Sequence, residues 1–155
     1  ALFLSTDCKV SLMMTRKVLF GFLFLIMAAC SDSSDDPNQI LPNVPVNETV
    51  FLNNPEYINL QVVGGWAYTN GGISGIVVYR SGINNFVAFE RSAPHLEPQA
   101  CSVMVVRNSI IMQCSCDKSE FSILDGGPLT DGINVAARQY RTELQGGNVL
   151  RITNY

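Results

Sequence analysis

Four side chains carry most of the chemistry this chain could do. His95, Cys101, Cys114 and Cys116 stand in the pattern H-x5-C-x12-C-x-C, and Asp117 follows directly in the stretch QCSCDKSEF. Imidazole and thiolate are the ligand types that hold zinc and iron–sulfur clusters. A Cys3His set is a good tetrahedral zinc site by ligand type, and the C-x-C spacing suits zinc or a cluster. Asp117 adds a hard oxygen, a poorer match for a soft metal. His95 is the only histidine in the chain. A Ser-His-Asp machine is therefore excluded except around that residue, and no activated serine or cysteine motif lies beside it. No catalytic constellation appears.

The elements that must position these residues read as short strands. INLQVV, GIVVYR, NFVAFER, CSVMVV, SIIMQC, EFSILD, QYRTEL and NVLRIT are rich in Val, Ile, Phe and Tyr. Turn signals separate them at Asn70–Gly72, Ser81–Asn85, Arg107–Ser109, Asp125–Gly127 and Gln145–Gly147. Regularly spaced short strands predict an all-β fold, an antiparallel sandwich or barrel. The hairpin SVMVV–RNS–IIMQ turns near Asn108 and places Cys101 roughly opposite Cys114 and Cys116. A short helix is conceivable only at NVAAR. Trp66, in GGWAYTNGG, reads as a strand aromatic packing inward. That stretch is no phosphate loop, because the GK[ST] ending and a following helix are missing. Asp125 and Asp131, in DGGPLTDG, read as turn residues.

The segment resembles a Rieske-type iron–sulfur domain. That family has a first box Cys-x-His and a second box Cys-x-Cys-His-Gly-Ser-x-Phe, whose two cysteines and two histidines hold a [2Fe–2S] cluster. In its high-potential class an extra cysteine after each box joins a shielding disulfide. The second box falls on Cys114 through Phe121, with Ser119 and Phe121 matching, and the first on Ala93, Pro94 and His95. NFVAFERSAPH looks like the strand entering the first box, and Gly126-Gly127-Pro128 like the loop following the second. The likeness runs from about Gly75 to Ile152. It implies a Rieske-like fold, with His95 and Cys114 as ligands, Ser119 as a hydrogen-bond donor beside them, and a Cys101–Cys116 disulfide. Two ligand positions depart from the family: Ala93 stands where a cysteine belongs and Asp117 where a histidine belongs. Cys101 also lies six residues after His95 rather than three.

Three readings follow for these residues. In one, Cys101 and Cys116 form the disulfide, Cys114 stays a thiol, His95 is structural and the fold persists without a cluster. In another, all three cysteines and His95 bind zinc or a cluster, against the competition of disulfide formation in an oxidising compartment. In the third, a [2Fe–2S] cluster is rebuilt on His95, Cys114 and Asp117 or a residue of another chain, giving one-electron transfer with a redox partner that nothing in the chain identifies.

The N-terminal part points to an envelope. Arg16 and Lys17 precede an apolar run from Val18 to Ala29, too short to span a bilayer and apt for a secretory h-region. MAAC at Met27–Cys30 resembles the lipobox of bacterial lipoproteins, which implies Cys30 as the lipidated N-terminus of the mature chain. The reading is therefore 1–12 as upstream translation, 13–29 as signal peptide, 30–50 as a flexible tether and 51–155 as the β domain. Ser31–Asp36, SDSSDD, resembles surface-export signals of Bacteroidetes-type lipoproteins. This makes the protein an outer membrane lipoprotein, on the periplasmic or cell-surface face, held to the membrane by its lipid. The chain's formal net charge is −3, and without Lys9, Arg16, Lys17 and Asp7 of the leader it is more acidic still. No basic footprint for nucleic acid exists. Asn47-Glu48-Thr49 matches a glycosylation acceptor by chance.

Overall fold

The computed structural model describes residues 40–154. Cys30, the leader and the acidic segment after it lie outside the described residues. Nine strands form two antiparallel sheets. They are β1 (Asn47–Phe51), β2 (Trp66–Thr69), β3 (Ile76–Arg80), β4 (Phe86–Glu90), β5 (Met104–Arg107), β6 (Ile111–Cys114), β7 (Glu120–Ser122), β8 (Gln139–Gln145) and β9 (Val149–Thr153). The larger sheet has the order β1-β9-β8-β4-β3-β2, and the smaller is β5-β6-β7. The all-β antiparallel expectation holds.

Within the larger sheet β3 and β4 are covered on both faces, which explains why they read as nearly continuous apolar runs. On one face Ile76 and Val78 of β3 and Phe86 and Ala88 of β4 pack with Val50, Leu60, Leu150 and Ile152. On the other, Val77, Tyr79 and Phe89 meet Met104, Met112, Phe121 and Ile123 of the smaller sheet and its loop. Trp66 lies half-buried at the edge of this second core, the inward role expected of it. The smaller sheet and its loops carry the candidate site.

Three expectations require correction. INLQVV is not a strand; Pro55–Gln61 is a 3₁₀ helix opened by Pro55. Its buried residues, Tyr57 and Leu60, lie three apart, as three residues per turn demands. The predicted tether extends too far. Its last four residues belong to β1, paired with β9 from Asn47↔Thr153 to Phe51↔Val149. Upstream, Arg138 donates to the carbonyls of Pro42 at 2.6 Å and Leu41 at 2.7 Å, and Asn154 Nδ2 donates to that of Val44. NVAAR is not helical.

One buried polar knot secures the approach to the first loop. Glu90 is fully buried at an inward position of β4. Its carboxyl accepts from the N–H groups of Ile73, Ser74 and Ser92 and from the Tyr140 hydroxyl at 2.7 Å. Burial, then the hydrogen bond and charge of Glu90, push the Tyr140 phenol well above its ordinary range. Ser74 and Ser92 share a 2.6 Å hydroxyl contact. The strand that delivers residues 93–101 is thereby anchored to β8 and to the 71–75 turn.

Candidate metal centre

Two loops meet at the end of the smaller sheet. The first runs from Ala93 to Cys101 and is closed by a bridge between Ser92 and Val103 and by Ala93 N–H donating to Ser102 O at 2.9 Å. The second follows β6. Cys114 N–H donates to Ser119 O at 2.8 Å and Lys118 N–H to Cys114 O at 3.1 Å. Lys118 adopts a φ of 66°, the left-handed conformation that folds this turn tightly. The β5–β6 register pairs Met104 with Cys114, so the hairpin does bring Cys101 alongside the second loop.

The loops are joined covalently. Cys101 and Cys116 form a disulfide with a Cα–Cα distance of 4.8 Å. Cys114 is a free, buried thiol whose Sγ lies 3.7 Å from the Cys101 carbonyl oxygen. Gln99 Nε2 approaches Cys116 Sγ at 3.6 Å.

A second link is electrostatic. His95 Nε2 lies 2.7 Å from Asp117 Oδ2, with the two side chains 18% and 40% exposed. Ser119 Oγ donates to Asp117 Oδ1 at 2.8 Å and lies 3.4 Å from the same His95 nitrogen, while Ser119 N–H donates to Asp117 Oδ1 at 3.1 Å. Desolvation raises the Asp117 carboxyl, but hydrogen bonds from His95, Ser119 and Cys114 together outweigh it and hold it well below the usual carboxylate range. His95 Nδ1 is buried and has no hydrogen-bond partner. The ring itself rests against Phe121, with centroids 5.7 Å apart.

The residues do not fit a [2Fe–2S] cluster with the family's four ligands. Ala93 is fully buried and offers only a methyl group. Asp117 spends its oxygens on His95 and Ser119. Four donors are needed; His95 Nδ1 has no hydrogen-bond partner, and the Cys114 thiol, already hydrogen-bonded to Asp117 and within reach of the Cys101 carbonyl, is the one further candidate. With Cys101 and Cys116 joined in the disulfide, a Cys3His arrangement keeps one of its three thiolates, Cys114. Among the described residues no group of three or more His, Cys, Asp or Glu side chains gathers as metal ligands would. Thus the structure brings together His95, Asp117, Ser119 and the Cys101–Cys116 pair. Asp117, suggested by the sequence as a ligand, lies hydrogen-bonded to His95 and Ser119. Glu90 was not foreseen; its signal was a charged residue at the inward parity of FVAFE, in step with Phe86 and Ala88.

No protein-family model matches the chain, and no curated protein matches it. Solved structures do. A chain from the complex of reduced oxygenase and oxidised ferredoxin in carbazole 1,9a-dioxygenase is 20% identical, with 59% of this chain and 82% of that one covered and a TM-score of 0.43. The ferredoxin of carbazole 1,9a-dioxygenase from Nocardioides aromaticivorans IC177 is 17% identical over 70% and 97%, with a TM-score of 0.45. The E. coli protein NirD is 12% identical over 71% and 97%, at 0.43.

Proposed function

We propose that this domain is a Rieske-type β scaffold in which a disulfide and a histidine–carboxylate pair occupy the place of the cluster. In this reading it is a lipid-anchored envelope module, attached through Cys30, that presents two locked loops and descends from an electron-transfer domain. The observation that carries the reading is the 2.7 Å contact between His95 and Asp117, which joins two family ligand positions directly to one another. The buried methyl of Ala93 agrees with it, since a third ligand position has no donor. The oxidising compartment implied by the leader suits a structural disulfide.

A second reading has one observation in its favour. His95 Nδ1 is a buried, unpartnered nitrogen, and its opposite ring nitrogen is oriented by a carboxylate, the arrangement in which metal-bound histidines are usually held. With Cys114 it would supply two ligands to a single zinc ion, the rest coming from outside this chain. Iron, acid-labile sulfide, zinc and free thiols counted on one anaerobic, iron-replete preparation test both. The first reading expects no metal and a thiol at Cys114. One zinc would favour the second, and two irons with two sulfides would overturn both.

A further inference from the structure

The outward face of β8 and β9 carries a feature that the loops at the other sheet do not explain. Arg141 and Glu143 of β8 and Arg151 and Thr153 of β9 line a cavity of about 280 Å³. A neighbouring hollow of about 350 Å³ shares Arg141 and Thr153 and extends to Arg138 and Asn43. Two of the seven basic side chains from residue 40 onward therefore lie on one strand pair of an acidic protein, with a third, Arg138, just before it. Arg138 is committed to the Leu41 and Pro42 carbonyls. The guanidinium of Arg141 has no such role, and Arg151 donates only through Nε, to Asn47 Oδ1 at 3.2 Å.

The register fixes how these groups present themselves. Arg141 pairs with Thr153, and Glu143 pairs with Arg151. Arg141 and Arg151 are thus diagonal neighbours on one face, roughly 7–8 Å apart at the backbone. Both stand on a hydrogen-bonded strand pair, so their separation is set by the sheet. A planar carboxylate fills one guanidinium fork; a tetrahedral phosphate has oxygens facing several ways and can accept from two forks at once. Glu143, directly opposite Arg151, does not lie in ion-pair contact with either arginine among the described residues. Glu143 accepts from Gln145 Nε2 at a long 3.5 Å, which leaves its charge unmatched, and a ligand ammonium answers it best.

We propose that this face binds a phosphate ester that also carries an amino group, of the phosphoethanolamine class, with phosphate between Arg141 and Arg151 and ammonium on Glu143. The same chemistry occurs in a free phosphate ester and in a lipid headgroup. Asn43 at the rim places the groove where the chain enters the domain.

The test uses the full chain with Cys30→Ala, titrated with O-phosphoethanolamine and separately with inorganic phosphate, following backbone and arginine side-chain amides by NMR. Saturable shifts confined to β8 and β9 are expected. They should weaken about tenfold or more in an Arg141→Gln, Arg151→Gln double variant, as loss of two charged donors requires. Glu143→Gln should erase the preference for O-phosphoethanolamine over phosphate while leaving phosphate binding in place. Sedimentation with phosphatidylethanolamine-containing and pure phosphatidylcholine vesicles then separates the sources. The leader is common to all variants, so only the difference between the chain and its double variant counts. A difference on the phosphatidylethanolamine vesicles assigns a headgroup, and shifts with no such difference assign the free ester. Absence of saturable shifts with both soluble probes, or shifts unchanged in the double variant, overturns the proposal.

Discussion

Removing the covalent link between the two loops should cost the domain a calculable amount. The perturbation is Cys101→Ser with Cys116→Ser, in a background where Cys8 and Cys30 are also serine so that Cys114 is the only remaining thiol. The disulfide closes a loop with a sequence separation of 15. By the loop-entropy relation, freeing a loop of that size in the unfolded chain is worth about 3 kcal/mol at 25 °C. For a β domain of this size that corresponds to a fall in melting temperature of about 10–15 °C. The fold itself should survive, because the buried residues of both cores are other than the bridged pair, Cys116 packing only at the margin of the second. Thermal unfolding by circular dichroism, with thiol titration under denaturing conditions, measures both quantities. The intact protein should titrate one thiol and the double variant also one, at the lower melting temperature. Three thiols in the oxidised protein, or a drop below about 4 °C, would refute the reasoning.

Other outcomes follow from the same geometry. Ala93→Cys combined with Asp117→His would supply the four ligands of the Rieske pattern that the sequence resembles, and that double variant should take up iron with a visible absorption band on anaerobic assembly, while neither single variant should; a colourless double variant would count against the loop correspondence. Glu90→Ala leaves three backbone donors and the Tyr140 hydroxyl unsatisfied in the core, an expected loss of about 3–5 kcal/mol in denaturant unfolding, whereas Glu90→Gln, which keeps one acceptor oxygen, should lose less. Gly72→Ala should cost more than about 1 kcal/mol in the same assay, since a Cβ there would stand 2.2 Å from Glu90 Oε2 on a backbone with φ of +63°. Because the folded protein depresses the Asp117 carboxyl, its contribution to stability is full above the unfolded value near 4 and is lost as pH falls further; Asp117→Asn should flatten that acid limb of a stability–pH profile.

What could be read from the sequence depended on how local the signal was. The β8–β9 hairpin announces itself through alternation on both sides of Gln145-Gly146-Gly147. The 3₁₀ helix misleads, because Ile58, Val62 and Val63 have strand-like side chains yet are exposed, while Tyr57 and Leu60 face the core. β1 is polar in composition and becomes a strand through pairing with β9, about a hundred residues away, which no local pattern reports. At the site, the resemblance supplied the Cys101–Cys116 pair. The part played by Asp117 was not legible, since an aspartate two residues before a serine can ligate a metal or cap a turn. In the structure Asp117 accepts from Ser119 N–H beside the left-handed turn at Lys118 and lies against His95.

The most direct test is the state of the His95 ring in iron-replete, anaerobically prepared protein, read by ¹⁵N NMR of the imidazole. The account predicts a diamagnetic ring with its proton on Nε2, a hydrogen bond to Asp117 that disappears in Asp117→Ala, and a colourless sample. A His95 signal broadened by a bound iron centre, together with a visible absorption band, would contradict it.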